Sequence, residues 1–96
     1  MNILVTYDVS TKDKPGQKRL RRMAKLCEGY GQRVQLSVFE CEIRDTEYER
    51  LRAEALKIMD PKQDRVRFYR LVGNRDDFLE EYGTFRAIDF SEPLVY

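Results

Sequence analysis

Asp8 closes the apolar run Ile3-Leu4-Val5-Thr6-Tyr7, so a carboxylate stands where a buried strand should end. A carboxylate in that position suits Mg²⁺, a hard cation that takes oxygen ligands and keeps several waters. Such an ion lowers the pKa of a bound water and steadies charge on a phosphodiester under attack. The chain has no histidine. That removes the usual acid–base pair of metal-free ribonucleases and leaves Asp8 as the best catalytic candidate. One carboxylate is too few for a metal site, and its plainer use is to cap the next loop or pair with a nearby cation. A two-fold axis near the strand end changes this: Asp8 and its symmetry mate become a carboxylate pair, which repels itself unless a cation or proton lies between.

Basic residues form the second constellation. Lys18, Arg19, Arg21, Arg22 and Lys25 crowd one stretch, with Arg33 further on. They can contact phosphates, which gives steep salt dependence and little sequence preference; the plainer reading is a solvated helix face. Tyr7 and Phe39 can stack on the bases of a single strand, although strand aromatics more often pack in a core. Ser37 can bond a phosphate or tie a turn. It lacks a histidine to activate it as a nucleophile.

The chain has 96 residues, of which 36% are charged and 42% hydrophobic, as suits one soluble domain spanning 1–96. The net charge of +1 hides an asymmetry. Residues 1–36 carry eight basic and three acidic side chains, and the remainder ten basic and fourteen acidic. A basic segment of this kind fits a polyanionic partner. Nothing resembles a signal peptide, and no stretch approaches the roughly 20 apolar residues of a membrane span. Cys27 and Cys41 are isolated, which argues against zinc and for buried, reduced thiols. The expected location is cytoplasmic, with no membrane partner.

The elements that must position these residues follow from periodicity. Ile3 to Tyr7 reads as a central strand, followed by a polar loop over 10–16. Leu20, Met23, Ala24 and Cys27 then recur at helical spacing, with Lys18, Arg21, Arg22 and Lys25 opposite and Arg19 at the border. Gly29 or Gly31 can end that helix in a left-handed cap. Arg33 to Ile43 is extended, with a phase slip at Val38-Phe39 that implies a bulge or bend. No turn residue decides whether it is one strand or two. Thr46-Glu47-Tyr48-Glu49 reads as a capping box opening a second helix, with Tyr48, Leu51, Ala55, Ile58 and Met59 as its apolar stripe. Asp60-Pro61 ends it. Arg65 to Val72 is another strand, and Pro93-Leu94-Val95-Tyr96 a short extended tail. With a split middle segment the order is βαββαβ, an α+β ferredoxin-like sandwich. Both helices then cover one sheet face. The open face and the orphan tail both favour a homodimer.

Three stretches carry a family resemblance: Tyr7-Asp8-Val9, Lys18-Arg19-Leu20-Arg21-Arg22, and Gly31-Gln32-Arg33-Val34-Gln35-Leu36-Ser37-Val38-Phe39-Glu40-Cys41. Arg65-Val66-Arg67-Phe68-Tyr69-Arg70-Leu71 and the ending Pro93-Leu94-Val95-Tyr96 add to it. Together they resemble the small CRISPR-associated nuclease family, the dimeric partner of the spacer-acquisition integrase. The resemblance implies the ferredoxin-like fold with two strands bent near Leu36-Ser37. It also implies a homodimer whose C-terminal strand crosses to the other subunit, and Mg²⁺-dependent cleavage of single-stranded RNA or double-stranded DNA in antiviral defence. Asp8 then matches the metal ligand, one from each subunit. Tyr7, Arg19, Arg21 or Arg22, Arg33, Ser37 and Phe39 match residues implicated around it, with Arg33 and the helix cations holding the backbone. The same resemblance supports a non-catalytic alternative, a DNA-binding scaffold bridging integrase dimers. The acidic residues Asp76, Asp77, Glu80 and Glu81 can face a basic partner. A toxin-like ribonuclease outside spacer acquisition is a third reading.

Overall fold

Burial alternates along the first strand, β1 (Asn2–Asp8): Ile3, Val5 and Tyr7 are buried, and the residues between them are not. The computed structural model describes residues 1–83. Within them β1 is followed by α1 (Lys14–Glu28), β2 (Gln32–Gln35), β3 (Val38–Glu42), α2 (Asp45–Ile58), β4 (Arg65–Leu71) and a single turn of helix, α3 (Arg75–Phe78). The four strands form one sheet in the order β2-β3-β1-β4 with every pair antiparallel. This is the ferredoxin-like βαββαβ arrangement. The terminal strand expected at 93–96 lies outside the described residues.

One sheet face meets the helices. Ile3, Val5, Tyr7, Phe39 and Cys41 pack against Met23 and Cys27 of α1 and against Leu51, Ala55 and Ile58 of α2, with Leu20, Tyr48, Met59, Val66 and Phe68 at the margin. Tyr48 meets Phe68 edge-on at 5.8 Å between ring centroids, and the Arg70 guanidinium lies 5.6 Å from the Tyr48 ring. The opposite face carries the even residues of β1 and, by register, Arg65, Arg67 and Tyr69 of β4. Among the described residues neither α1 nor α2 covers it, and α3 meets it at Glu40 through Arg75.

The middle segment is two strands joined at Leu36-Ser37, with a register shift between Arg33 and Gln35. The phase slip at Val38-Phe39 therefore marks a hairpin. Val34 lies exposed on the edge strand, whereas Phe39 and Cys41 point inward.

Three local expectations need correction. Helix α1 begins at Lys14, so the end of the polar loop is its first turn: Asp13 caps it by accepting from the Gly16 N–H at 2.9 Å, and Pro15 needs no N–H there. Neither Gly29 nor Gly31 is left-handed; positive φ among the described residues is confined to Gly73 and Gly83. Gly31 is needed for closeness, because a Cβ there would strike the Glu40 carbonyl oxygen and the Cys41 sulfur. Helix α2 is capped two residues earlier than the Thr46 box suggests. Arg44 is its N-cap, and its N–H donates to Glu47 Oε1 at 3.1 Å, so Glu47 rather than Glu49 closes the box.

Candidate active site at the end of the central strand

Asp8 is the last residue of β1 and is exposed on the uncovered face. Among the described residues, its carboxylate makes no hydrogen bond or ion pair. Three pieces of backbone surround this strand end. On the β3 side, the Tyr7 N–H donates to the Ser37 carbonyl at 3.2 Å, which fastens the Leu36-Ser37 turn to the strand one residue before Asp8. On the other side, Asp8 is paired in register with Arg65 at the start of β4. Beyond the strand, the outgoing loop is held at Ser10, whose N–H donates to Asp64 Oδ1 at 3.1 Å.

Asp64 is the anchor of that loop. Its side chain is fully buried and takes Arg19 Nε at 2.7 Å, Arg19 Nη2 at 3.4 Å, the Asp60 N–H at 2.8 Å and the Ser10 N–H. Burial pushes this carboxyl up. The bonds from Arg19 and the two backbone N–H groups outweigh burial, so the group is held below its ordinary value. Both oxygens are satisfied, which is what lets a carboxylate stay charged in the interior.

Tyr7, Arg33 and Phe39 form a packed unit on the helix side of the sheet. The Tyr7 and Phe39 rings stack at 6.3 Å with 20° between planes, and the Arg33 guanidinium lies 5.0 Å from the Phe39 centroid. Arg33 also pairs with Glu28 at 3.5 Å. The Tyr7 hydroxyl reaches toward the Leu36 carbonyl at 3.5 Å. Burial, seconded by Cys27 and opposed by Arg33, pushes the Tyr7 phenol up to about 12. At neutral pH it is a fixed neutral group, unsuited to proton transfer.

The sequence candidates thus divide. Asp8 and the turn at Ser37 lie together at the strand end. Tyr7 and Phe39 are interior and do not offer rings to a base; they support the turn and strand from behind. Arg33 shares their face. The register pairs Arg33 with buried Phe39, and its guanidinium lies against that ring. Arg19 is bound to Asp64 and does not belong to the free basic stripe. Lys18, Arg21, Arg22 and Lys25 are exposed on the outer side of α1, across the sheet from the Asp8 face. Asp77 caps α3, accepting from the Asn74 N–H at 2.9 Å, and Arg75 pairs with Glu40 at 3.1 Å.

The chemistry of the donors fits Mg²⁺ in part. Asp8 offers free hard oxygens, whereas burial pushes the Cys27 and Cys41 thiols up to about 12 and about 11 and keeps them as inert SH. Among the described residues no three acidic or thiol side chains converge as a metal-holding group. Asp8 is, among the described residues, the exposed carboxylate at this strand end.

The family model for CRISPR associated protein Cas2 matches residues 1–78. The chain belongs to this family. It is 47% identical over 95 residues to the "CRISPR-associated endoribonuclease Cas2 1" of Moorella thermoacetica, covering 99% of both chains. It is 44% identical over 96 residues to the "CRISPR-associated endonuclease Cas2" of Halalkalibacterium halodurans, covering all of both. The crystal structure of Streptococcus pyogenes Cas2 superimposes with a TM-score of 0.76 at 48% identity, over 86% of this chain and all of that one. The Cas2 fold is thus the one assembled above from burial and register.

Sequence reasoning missed two residues of the strand end. Asp64 sits in the polar run Lys62-Gln63-Asp64, which reads as loop, and its burial depends on Arg19 from a distant helix. Arg65 was legible in principle, since an antiparallel β1–β4 pair must set the start of one strand beside the end of the other.

Proposed function

We propose that the chain is a CRISPR-associated nuclease that hydrolyses phosphodiester bonds in single-stranded RNA or double-stranded DNA. In this reading it acts as a Mg²⁺-dependent homodimer in the cytoplasm. The observation that carries the proposal is Asp8: an exposed carboxylate, engaged by no described residue, at the end of the central strand, in a family with relatives named endonuclease and endoribonuclease. No described helix is long and apolar enough to cross a membrane.

Asp8 from each of two copies would hold the ion, which supplies an activated water and offsets the charge gathering on the phosphate. The uncovered sheet face, which bears Asp8, is the surface through which the copies meet. The Tyr7–Ser37 and Ser10–Asp64 bonds fix the backbone on either side of the carboxylate, which leaves the Asp8 side-chain rotamer to be set on binding. Water adds to phosphorus, the P–O3′ bond breaks, and the products end in a 5′-phosphate and a 3′-hydroxyl. With no histidine and a neutral Tyr7, protons pass to and from solvent.

The basic stripe favours a second role. Lys18, Arg21, Arg22 and Lys25 lie on the outer helix face, away from Asp8, where they suit contact with a duplex bridging integrase subunits. The experiment compares wild type with Asp8→Ala in Mg²⁺-dependent cleavage of RNA and duplex DNA, and in spacer acquisition with the integrase. Loss of cleavage supports the nuclease reading, and retained cleavage contradicts it. Acquisition that survives the loss makes the scaffold role primary.

A further inference from the structure

We infer that Arg65 is a substrate-binding residue of the Asp8 site, taking a phosphate of the nucleic-acid backbone next to the one under attack. This rests on the nuclease reading and adds a residue to it.

The argument begins with register. Asp8 and Arg65 are direct cross-strand partners at the end of the β1–β4 ladder. Directly opposed residues of an antiparallel pair project from the same face, with Cβ atoms about 4.5–5.5 Å apart. Asp8 is on the uncovered face, so Arg65 is too, and both are exposed. Arg67, two residues on, faces Thr6 and donates from Nη1 to the Tyr69 hydroxyl at 3.1 Å. The sheet therefore sets one arginine directly opposite the carboxylate.

Its surroundings leave Arg65 for a ligand. Among the described residues it has no hydrogen-bond or ion-pair partner, and it makes no ion pair with Asp8. The adjacent carboxylate, Asp64, is on the other side of the strand and is already filled by Arg19, Ser10 and Asp60. A guanidinium presents its donors in a planar fork that matches two phosphate oxygens, and it stays charged at every working pH. The strand end thus pairs an anion suited to the metal with a cation suited to the phosphodiester. Arg33 and the α1 stripe, on the other side of the sheet, do not supply that cation.

The test measures binding of a fluorescein-labelled RNA and a labelled duplex DNA in EDTA, and cleavage of both in Mg²⁺. The proteins are wild type, Arg65→Ala, Arg65→Lys and Asp8→Ala. Arg65→Ala should lower kcat/KM by about tenfold, mainly through KM, and Arg65→Lys should recover part of it. The slope of log affinity against log salt should fall by about 0.7–0.9, the loss of one phosphate contact. Asp8→Ala should keep that slope while losing cleavage. Wild-type kcat/KM and salt slope in Arg65→Ala, beside an inactive Asp8→Ala, overturn this inference and leave the nuclease reading intact. If Asp8→Ala cleaves, the nuclease reading falls, and Arg65 stands or falls on the binding slope. Unchanged thermal melting of Arg65→Ala separates loss of contact from loss of fold.

Discussion

Arg19 Nε donates to the buried carboxylate of Asp64 at 2.7 Å, across 45 residues of sequence. Through this pair the first helix, the α2–β4 connection and the loop leaving Asp8 become one piece, because the same carboxylate takes the Ser10 and Asp60 N–H groups. Asp64→Ala strands the Arg19 guanidinium and frees the loop. It should lower Tm by on the order of 10 °C, which calorimetry can read directly.

The same carboxylate gives an acid limb. Burial opposes its ionisation, and its bonds to Arg19, Asp60 and Ser10 more than compensate, so its folded-state value lies below the unfolded one. Its contribution is complete above the unfolded value of about 3.9 and drains as pH falls toward the depressed native value. Asp60, bonded by the Lys62 N–H, and Glu47, bonded by the Arg44 N–H, are lowered as well and share this limb. Urea melts of Asp64→Asn should therefore show a weaker pH dependence below about pH 4 than wild type. An identical dependence would remove Asp64 from the account.

Phe39 should behave as a core residue. It is completely buried, stacked on Tyr7 and roofed by Arg33. Phe39→Ala should cost about 3–5 kcal/mol of stability. Phe39→Leu should keep nucleic-acid affinity at temperatures where the variant is folded, checked by fluorescence anisotropy. Lost affinity in a folded Phe39→Leu would restore the ring to base stacking.

Cys27 and Cys41 should be silent to a thiol reagent. Both are buried, and burial holds their values at about 12 and about 11, so almost no thiolate exists near neutrality. A chromogenic disulfide should label neither in the native protein and both after unfolding in guanidinium. Rapid native labelling would contradict the packing described.

What the sequence made legible was whatever has a local period. The apolar run Ile3 to Tyr7, the Met23 and Cys27 spacing and the Leu51-Ala55-Ile58 stripe each lie within one element, and each contributes to the core. The hairpin at Leu36-Ser37 was legible through the family resemblance and not through residue pattern, because those residues carry no turn signature and the turn is held from outside by the Tyr7 N–H. The side of the sheet that Arg33 takes was not legible for a related reason. The register shift before Gln35 turns it toward Phe39, and the sequence shows only a cation beside a strand. The place of Asp8 at the strand end was legible from position alone, since a charge after an apolar strand needs no tertiary knowledge.

The central claim is that one metal ion is shared by Asp8 from two copies. Wild-type and Asp8→Ala chains carrying different tags can be co-refolded in equal amounts and assayed for Mg²⁺-dependent cleavage. Random pairing leaves about one quarter of the dimers with both carboxylates. If both are required, total activity should fall to about that fraction of an all-wild-type sample at the same chain concentration. Activity of about one half, proportional to wild-type chains, would mean that each Asp8 works alone and would contradict the shared site.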